Sequence, residues 1–314
     1  MTRQPAAPLG VLAVCSAVGV GAIYFPQALL VDVGEQYEAS VSATSLVATA
    51  PQLGYAFGIL TLVPLGDSGG HRRLLTVMFS AVAAAAAVAA AAPSLPALVV
   101  ASFVMGVATV ASPVIGPLAA ATAGRDRMGW VSGLLLGASI AGMIGSRAGA
   151  ALISGWLSWR GAYALTAVCA LACAWLVHTR VPATPRGNPV SFPSYLRAPL
   201  AELRRRPPLR RSAVLQMCTF AGFTATWTSI GPVLTNDLRL SAGAVGWVAL
   251  VALAAMVTVP WTGQLVDRLG PDRVSTWSLG ATLAAALLMT GQLFGGLPGL
   301  VALVAGVLLL DVAM

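Results

Sequence analysis

Apolar stretches of about twenty residues recur from one end of this 314-residue chain to the other, separated by short polar breaks. A helix of that length spans the roughly 30 Å hydrocarbon core of a bilayer. Ten such segments can be counted, at about residues 9–30, 42–64, 74–92, 97–122, 130–154, 161–178, 212–234, 243–262, 274–293 and 298–314. A transmembrane β-barrel does not fit, because its strands alternate polar and apolar residues, whereas AVAAAAAVAAAA at 81–92 does not alternate at all. A mean hydropathy of +0.85 also leaves too little polar surface to cover a soluble globule. An all-α integral membrane protein is therefore predicted. The first segment is not read as a cleaved signal, since it runs on through Ile23, Tyr24 and Phe25 and similar segments follow.

The arginines give an orientation, because cytoplasmic loops retain positive charge during insertion. With the N-terminus inside, Arg3, Arg72, Arg73, Arg125, Arg127, the run from Arg180 to Arg211, Arg268 and Arg273 are all cytoplasmic. Only Arg160 and Arg239 fall outside, and the outer loops instead hold Asp32, Glu35, Glu38 and Asp237. The expectation is a multi-pass protein of the cell (inner or plasma) membrane with a cytoplasmic N-terminus. The net charge of +8 is then a record of topology, and the partner is the lipid bilayer rather than nucleic acid.

The segment 180–211 is polar, basic and broken by prolines, and reads as a cytoplasmic linker. It separates a six-helix bundle, 1–179, from a partial bundle of about four helices, 212–314. GDSGGHRR at 66–73 is echoed by VDRLGPDR at 266–273: Asp67, Gly70 and Arg73 correspond to Asp267, Gly270 and Arg273, each displaced by 200 residues. Both clusters fall between the second and third helices of their halves. Gly70 and Gly270 suit a tight reversal, where glycine accepts positive φ without a Cβ clash.

The doubled loop resembles that of the major facilitator superfamily, roughly G-x-L-a-D-R/K-x-G-R/K-R/K. GQLVDRLGPDR, with Gly263, Asp267, Arg268, Gly270 and Arg273, matches nearly throughout. VPLGDSGGHRR keeps Asp67, Gly70, Arg72 and Arg73 but has Val63 and Ser68 where the pattern has glycine and a basic residue. The resemblance implies two parallel six-helix repeats, about ten helices being present of an expected twelve, and a loop that latches the outward-open state. It also implies a secondary transporter working by alternating access, read here as proton-coupled efflux of a small organic solute by a monomer. An uptake permease or uniporter, or a truncated or non-transporting piece of the same fold, are the alternatives.

Two ionisable residues fall inside predicted helices, where a charge costs about 2.5–3.5 kcal/mol on insertion scales. They are Arg147 and Asp311. Arg147 either faces the interior and meets an anionic group, or snorkels toward the interface marked by Trp156, Trp159 and Arg160. Asp311 is either a proton or substrate site or a carboxylate paired within the bundle. The helix bearing Arg147 resembles the antiporter pattern G-x8-G-x3-G-P-x2-G-G at Gly133, Gly142, Ser146, Arg147, Ala150 and Ala151, without its proline. Its stripe Gly133, Gly137, Gly142, Gly145 and Gly149 is expected to bring backbones close. LVVASFVMG at 98–106 resembles another family stretch but has Ser102 where an arginine linked to proton coupling often sits.

Tyr24, Phe25, Gln27, Gln52, Tyr55, Phe220, Phe223, Thr226 and Trp227 are candidates to line a solute cavity, or are ordinary packing. Their apolar-aromatic character leans toward an amphipathic solute. Cys15, Cys169, Cys173 and Cys218 form no CxxC pair, and His71 and His178 are isolated, so neither an enzyme nor a metal or other cofactor is predicted. Without a phosphate-cradling loop, energy is expected from an ion gradient.

Overall fold

The computed structural model describes residues 8–67, 70–123, 128–183, 201–234, 269 and 271–313. The chain divides into two compact units, Met1–Glu202 and Leu203–Met314. The first holds α1 (Leu9–Tyr24), α2 (Leu30–Tyr37), α3 (Val41–Asp67), α4 (His71–Ala90), α5 (Leu95–Ala108), α6 (Ala111–Ala123), α7 (Met128–Trp156) and α8 (Trp159–Arg180). The second holds α9 (Pro207–Pro232), α10 (Pro271–Met289) and α11 (Gly296–Ala313).

Among the described residues, eight helical segments are long and apolar enough to cross a membrane, against the ten expected. The segment 243–262 lies outside the described residues. The segment 212–234 forms α9, but Arg210 and Arg211 in its early turns and hydroxyls from Thr219 to Ser229 lower its apolar character. This helix begins inside the stretch read as linker, because Pro207 and Pro208 occupy opening positions where a missing N–H costs nothing.

Two spans are broken, and each break has a proline cause. Pro26 cannot donate to the carbonyl of Ala22, and the chain tightens into a 3₁₀ turn, Phe25–Leu29, before resuming as α2. Pro113 cannot donate to Thr109, and α5 gives way to α6 at that residue. Because the first span continues to Tyr37, Asp32 and Glu35 are helical rather than loop residues as expected; Glu38 ends the helix with φ 49°. Asp32 sits in the first turn of α2, where a carboxylate favours the positive helix end.

In lipid there is no hydrophobic force between helices, so close packing and hydrogen bonds hold the bundle. The main pairings in the first unit are α1 with α7, α3 with α5 and α4 with α8. Large apolar side chains point outward instead: Val168 is 63% exposed and Trp175 61%, an arrangement suited to lipid rather than water. The α3–α5 pair is closed by glycines. A Cβ on Gly106 would lie 2.1 Å from the Pro51 carbonyl oxygen, one on Gly58 2.4 Å from that of Val107, and one on Gly54 2.2 Å from that of Phe103.

The glycine stripe of α7 behaves differently from expectation. Only Gly142 is pressed against a neighbour, its would-be Cβ 2.0 Å from the Ala17 oxygen; Gly133, Gly137, Gly145 and Gly149 face open space. Helices α1 and α7 also pack at Gly21, whose would-be Cβ lies 3.1 Å from the Gly142 oxygen and from Ser146 Cβ. Between them and α8 a cavity of about 390 Å³ opens, lined by residues such as Gly21, Phe25, Gly145, Gly149, Leu165 and Cys169.

The end of the first unit away from the N-terminus is laced by polar contacts. Ser154 donates to Asp32, and Trp159 Nε1 donates to Gln36 Oε1 at 2.5 Å. Arg160 donates to the Ala90 and Ala92 carbonyls at 2.7 and 3.0 Å, placing a cation at the negative C-terminal end of α4. The Tyr37 hydroxyl donates to the same Ala92 oxygen at 2.8 Å. In the second unit α10 packs on α11, where Ser278 donates to the Ala313 carbonyl.

Candidate functional site

At the first of the doubled loops Gly70 has φ 71° and ψ 28°, the left-handed conformation expected there, and sits at the N-cap of α4. Asp67 is the last residue of α3, while Arg72 and Arg73 stand in the first turn of α4. Cations there oppose the helix dipole, so helix stability does not account for them. At the second loop Gly263, Asp267, Arg268 and Gly270 lie outside the described residues. Arg273 is exposed and is the third residue of α10, as Arg73 is the third residue of α4.

Arg147 does not snorkel. It is 1% exposed and turned against α1, its Nε donating to Gln27 Oε1 at 2.9 Å. Its guanidinium carbon lies 5.0 Å from the centre of the Tyr24 ring, a cation–π distance. The two residues it meets flank the Pro26 break. Without that break the helix would carry Gln27 round to a different azimuth, so the proline that interrupts hydrogen bonding also sets the partner of the arginine. Gln27 is 1% exposed, and its Nε2 is buried without a hydrogen-bond partner, an omission that costs on the order of 1–3 kcal/mol.

Three residues chosen from sequence thus converge: Arg147, Gln27 and Tyr24. Tyr55 of α3 lies near Tyr24 and is half-buried. Gln52 does not join them; its Nε2 donates back to the Ala48 carbonyl of its own helix at 3.1 Å. Phe25 turns the other way, edge-on to Tyr163 with ring centres 4.7 Å apart, and lines the apolar cavity. The Gly21–Gly142 contact therefore separates a polar face of the α1–α7 pair from an apolar one.

In the second unit Asp311 accepts a hydrogen bond from Trp227 Nε1 at 3.2 Å, which joins α11 to α9. Phe220, Phe223 and Trp227 form a row along α9, with successive ring centres 6.1 and 6.5 Å apart. Thr226 is bound to the Gly222 carbonyl of its own helix.

Sequence reasoning missed several contacts. Ser102, at the position where the family pattern often has arginine, shares a buried 3.0 Å hydrogen bond with the Tyr163 hydroxyl. Cys15 of α1 meets Cys173 of α8 thiol to thiol, a pairing invisible in the spacing of either helix. The α3–α5 seam did have a signal, the G-x-x-x-G at Gly54 and Gly58.

A family model described as Major Facilitator Superfamily matches residues 9–314. "Probable transporter SCO4007" of Streptomyces coelicolor is 35% identical over 299 residues, which cover 92% of this chain and 68% of that protein. A "Probable sugar efflux transporter" of Pasteurella multocida is 26% identical over 270 residues, covering 85% of this chain and 65% of that protein. Among solved structures, the nucleoside transporter NupG superposes with a TM-score of 0.73 at 14% identity, covering 97% of this chain and 78% of that one, a likeness of fold.

Proposed function

Because this chain belongs to the Major Facilitator Superfamily, a family of multi-pass membrane transporters, we propose that it exports a small organic solute in exchange for protons. Export is supported by the similarity to a protein named a sugar efflux transporter. The observation that carries the site is Arg147, a cation at bilayer depth held against Gln27 and Tyr24. An ionisable residue there is costly to insert, which supports a place on a solute or ion pathway.

In this reading Arg147, Gln27, Tyr24 and Tyr55 supply the polar anchor of the solute path, and Gln52 lies one turn from Tyr55 on the same helix. Asp311 and Trp227 serve as the carboxylate side of coupling. Asp67, Gly70, Arg72 and Arg73, with Gly263, Asp267, Arg268, Gly270 and Arg273, form the paired gating loops. Asp67 and Asp267 hold one state closed by contact with cations or helix N-termini.

The test is flux in proteoliposomes of the 314-residue chain, with ethidium and a radiolabelled pentose as probes and an imposed pH gradient. The expected result is solute movement opposite to proton movement, abolished by a protonophore and slowed about tenfold in Asp67→Asn. Flux that ignores the gradient would remove proton coupling, and equal flux in Asp67→Asn would remove the loop from the mechanism.

A further inference from the structure

The pairing between Arg147 and Gln27 has a directional consequence. Arginine carries only donors, so its Nε can meet the Gln27 amide only through the oxygen. That contact sends the amide NH2 to the opposite side, where Nε2 is buried and has no acceptor. Turning the amide over would set one donor against another and strand the oxygen, so rotation of Gln27 brings no relief. The donor also cannot escape by shifting along the helix, because Gln27 lies in the 3₁₀ turn fixed by Pro26. Buried donors left unmet in a folded protein are uncommon, and each calls for an explanation.

We infer that Gln27 Nε2 is the docking point for a hydrogen-bond-accepting oxygen of the transported solute, with the Tyr24 ring as its apolar flank. This rests on the transporter reading above and adds the class of solute: one that carries a carboxylate or hydroxyl oxygen beside an apolar body. In the conformation described Nε2 is closed off from solvent, so docking belongs to the part of the cycle in which this face of α1 and α7 is open. The apolar cavity on the other face of the pair does not include Gln27 or Arg147 and is not the docking point.

Gln27→Glu tests this directly. The replacement is close to isosteric and keeps an oxygen for Arg147 Nε, but it exchanges the amide donor for a second oxygen and brings a negative charge with it, so the uncharged pentose, and the uncharged variant Gln27→Leu, read the loss of the donor itself. Flux of octanoate, of a radiolabelled pentose and of ethidium, which has no oxygen acceptor, is measured in proteoliposomes of the wild type and of Gln27→Glu, with thermal unfolding of each. Gln27→Leu, which removes both amide atoms, is the second variant. The expected result is an unfolding midpoint for Gln27→Glu close to wild type, with the KM for the pentose raised about tenfold in Gln27→Glu, or that for octanoate raised about tenfold in the uncharged Gln27→Leu, and a smaller change for ethidium in Gln27→Leu. Whichever of the two oxygen-bearing probes responds in Gln27→Leu, which adds no charge, identifies carboxylate or hydroxyl as the group received. Gln27→Leu should show the same loss together with a lower midpoint. Equal KM in wild type and both variants overturns the inference and leaves the transporter reading standing, as does a wild type that moves ethidium alone. A wild type that moves none of the three overturns the transporter reading and this inference with it.

Discussion

Two helix crossings in the first unit use the same device to different ends. The α3–α5 pair is zipped by Gly54, Gly58 and Gly106 over several turns, so that backbone meets backbone and no side chain lies between. The α1–α7 pair packs through Ala17 and Gly21 on one helix and Gly142 and Ser146 on the other, with an apolar cavity on one face and Arg147, Gln27 and Tyr24 on the other. A crossing closed along its length is scaffold. One closed by small residues at its centre leaves room for polar and apolar side chains on either face.

The contrast can be broken or sharpened by substitution. Gly106→Val should have the largest effect on stability, because its Cβ alone would stand 2.1 Å from the Pro51 oxygen and a β-branched side chain adds more. Overpacking of this kind costs about 1–3 kcal/mol or more, and thermal unfolding in detergent should report it. A midpoint like that of the wild type would mean that α3 and α5 are not in contact. Gly142→Ala comes next, with a similar clash at one place only. It should lower the midpoint less than Gly106→Val but reduce flux per folded molecule, because it separates the helices that hold Gln27 against Arg147.

Asp311→Asn should be milder still, as the amide oxygen can accept from Trp227 in place of the carboxylate. A loss of about 1 kcal/mol or less is expected, read as a small shift in unfolding. A large loss would show that the charge itself is needed. Gly149→Ala should do nothing measurable, since its Cβ enters open space beside the cavity. Destabilisation by that variant would show that the α7 stripe packs along its whole length after all.

These differences mark what was legible in the amino-acid sequence. Helical class and the reversal at Gly70 followed from apolar run length and from the glycine of the acidic loop, each a local pattern. Arg147 also stood out, because a charge within an apolar run needs a reason, and one of the two readings, an inward-facing side chain, is what the structure has. Its partner was not: Gln27 is 120 residues away, and the match depends on how far Pro26 rotates the chain. The glycines of α7 misled because spacing puts them on one face without saying whether another helix covers that face. Gly54 and Gly58 carried the same signal where a helix does cover it. The lacing of Asp32, Gln36 and Arg160 was hidden because the first span continues well beyond its apolar core.

The central claim is that the polar face of the α1–α7 crossing serves transport rather than folding. It is tested most directly by flux per folded molecule in Arg147→Met, a side chain of similar length that keeps the apolar contacts. Proteoliposomes carrying equal amounts of folded wild type or variant are compared with ethidium, octanoate and the pentose. The account predicts that flux falls at least about tenfold for the oxygen-bearing probes while the unfolding midpoint stays close to wild type. Undiminished flux from Arg147→Met would contradict it.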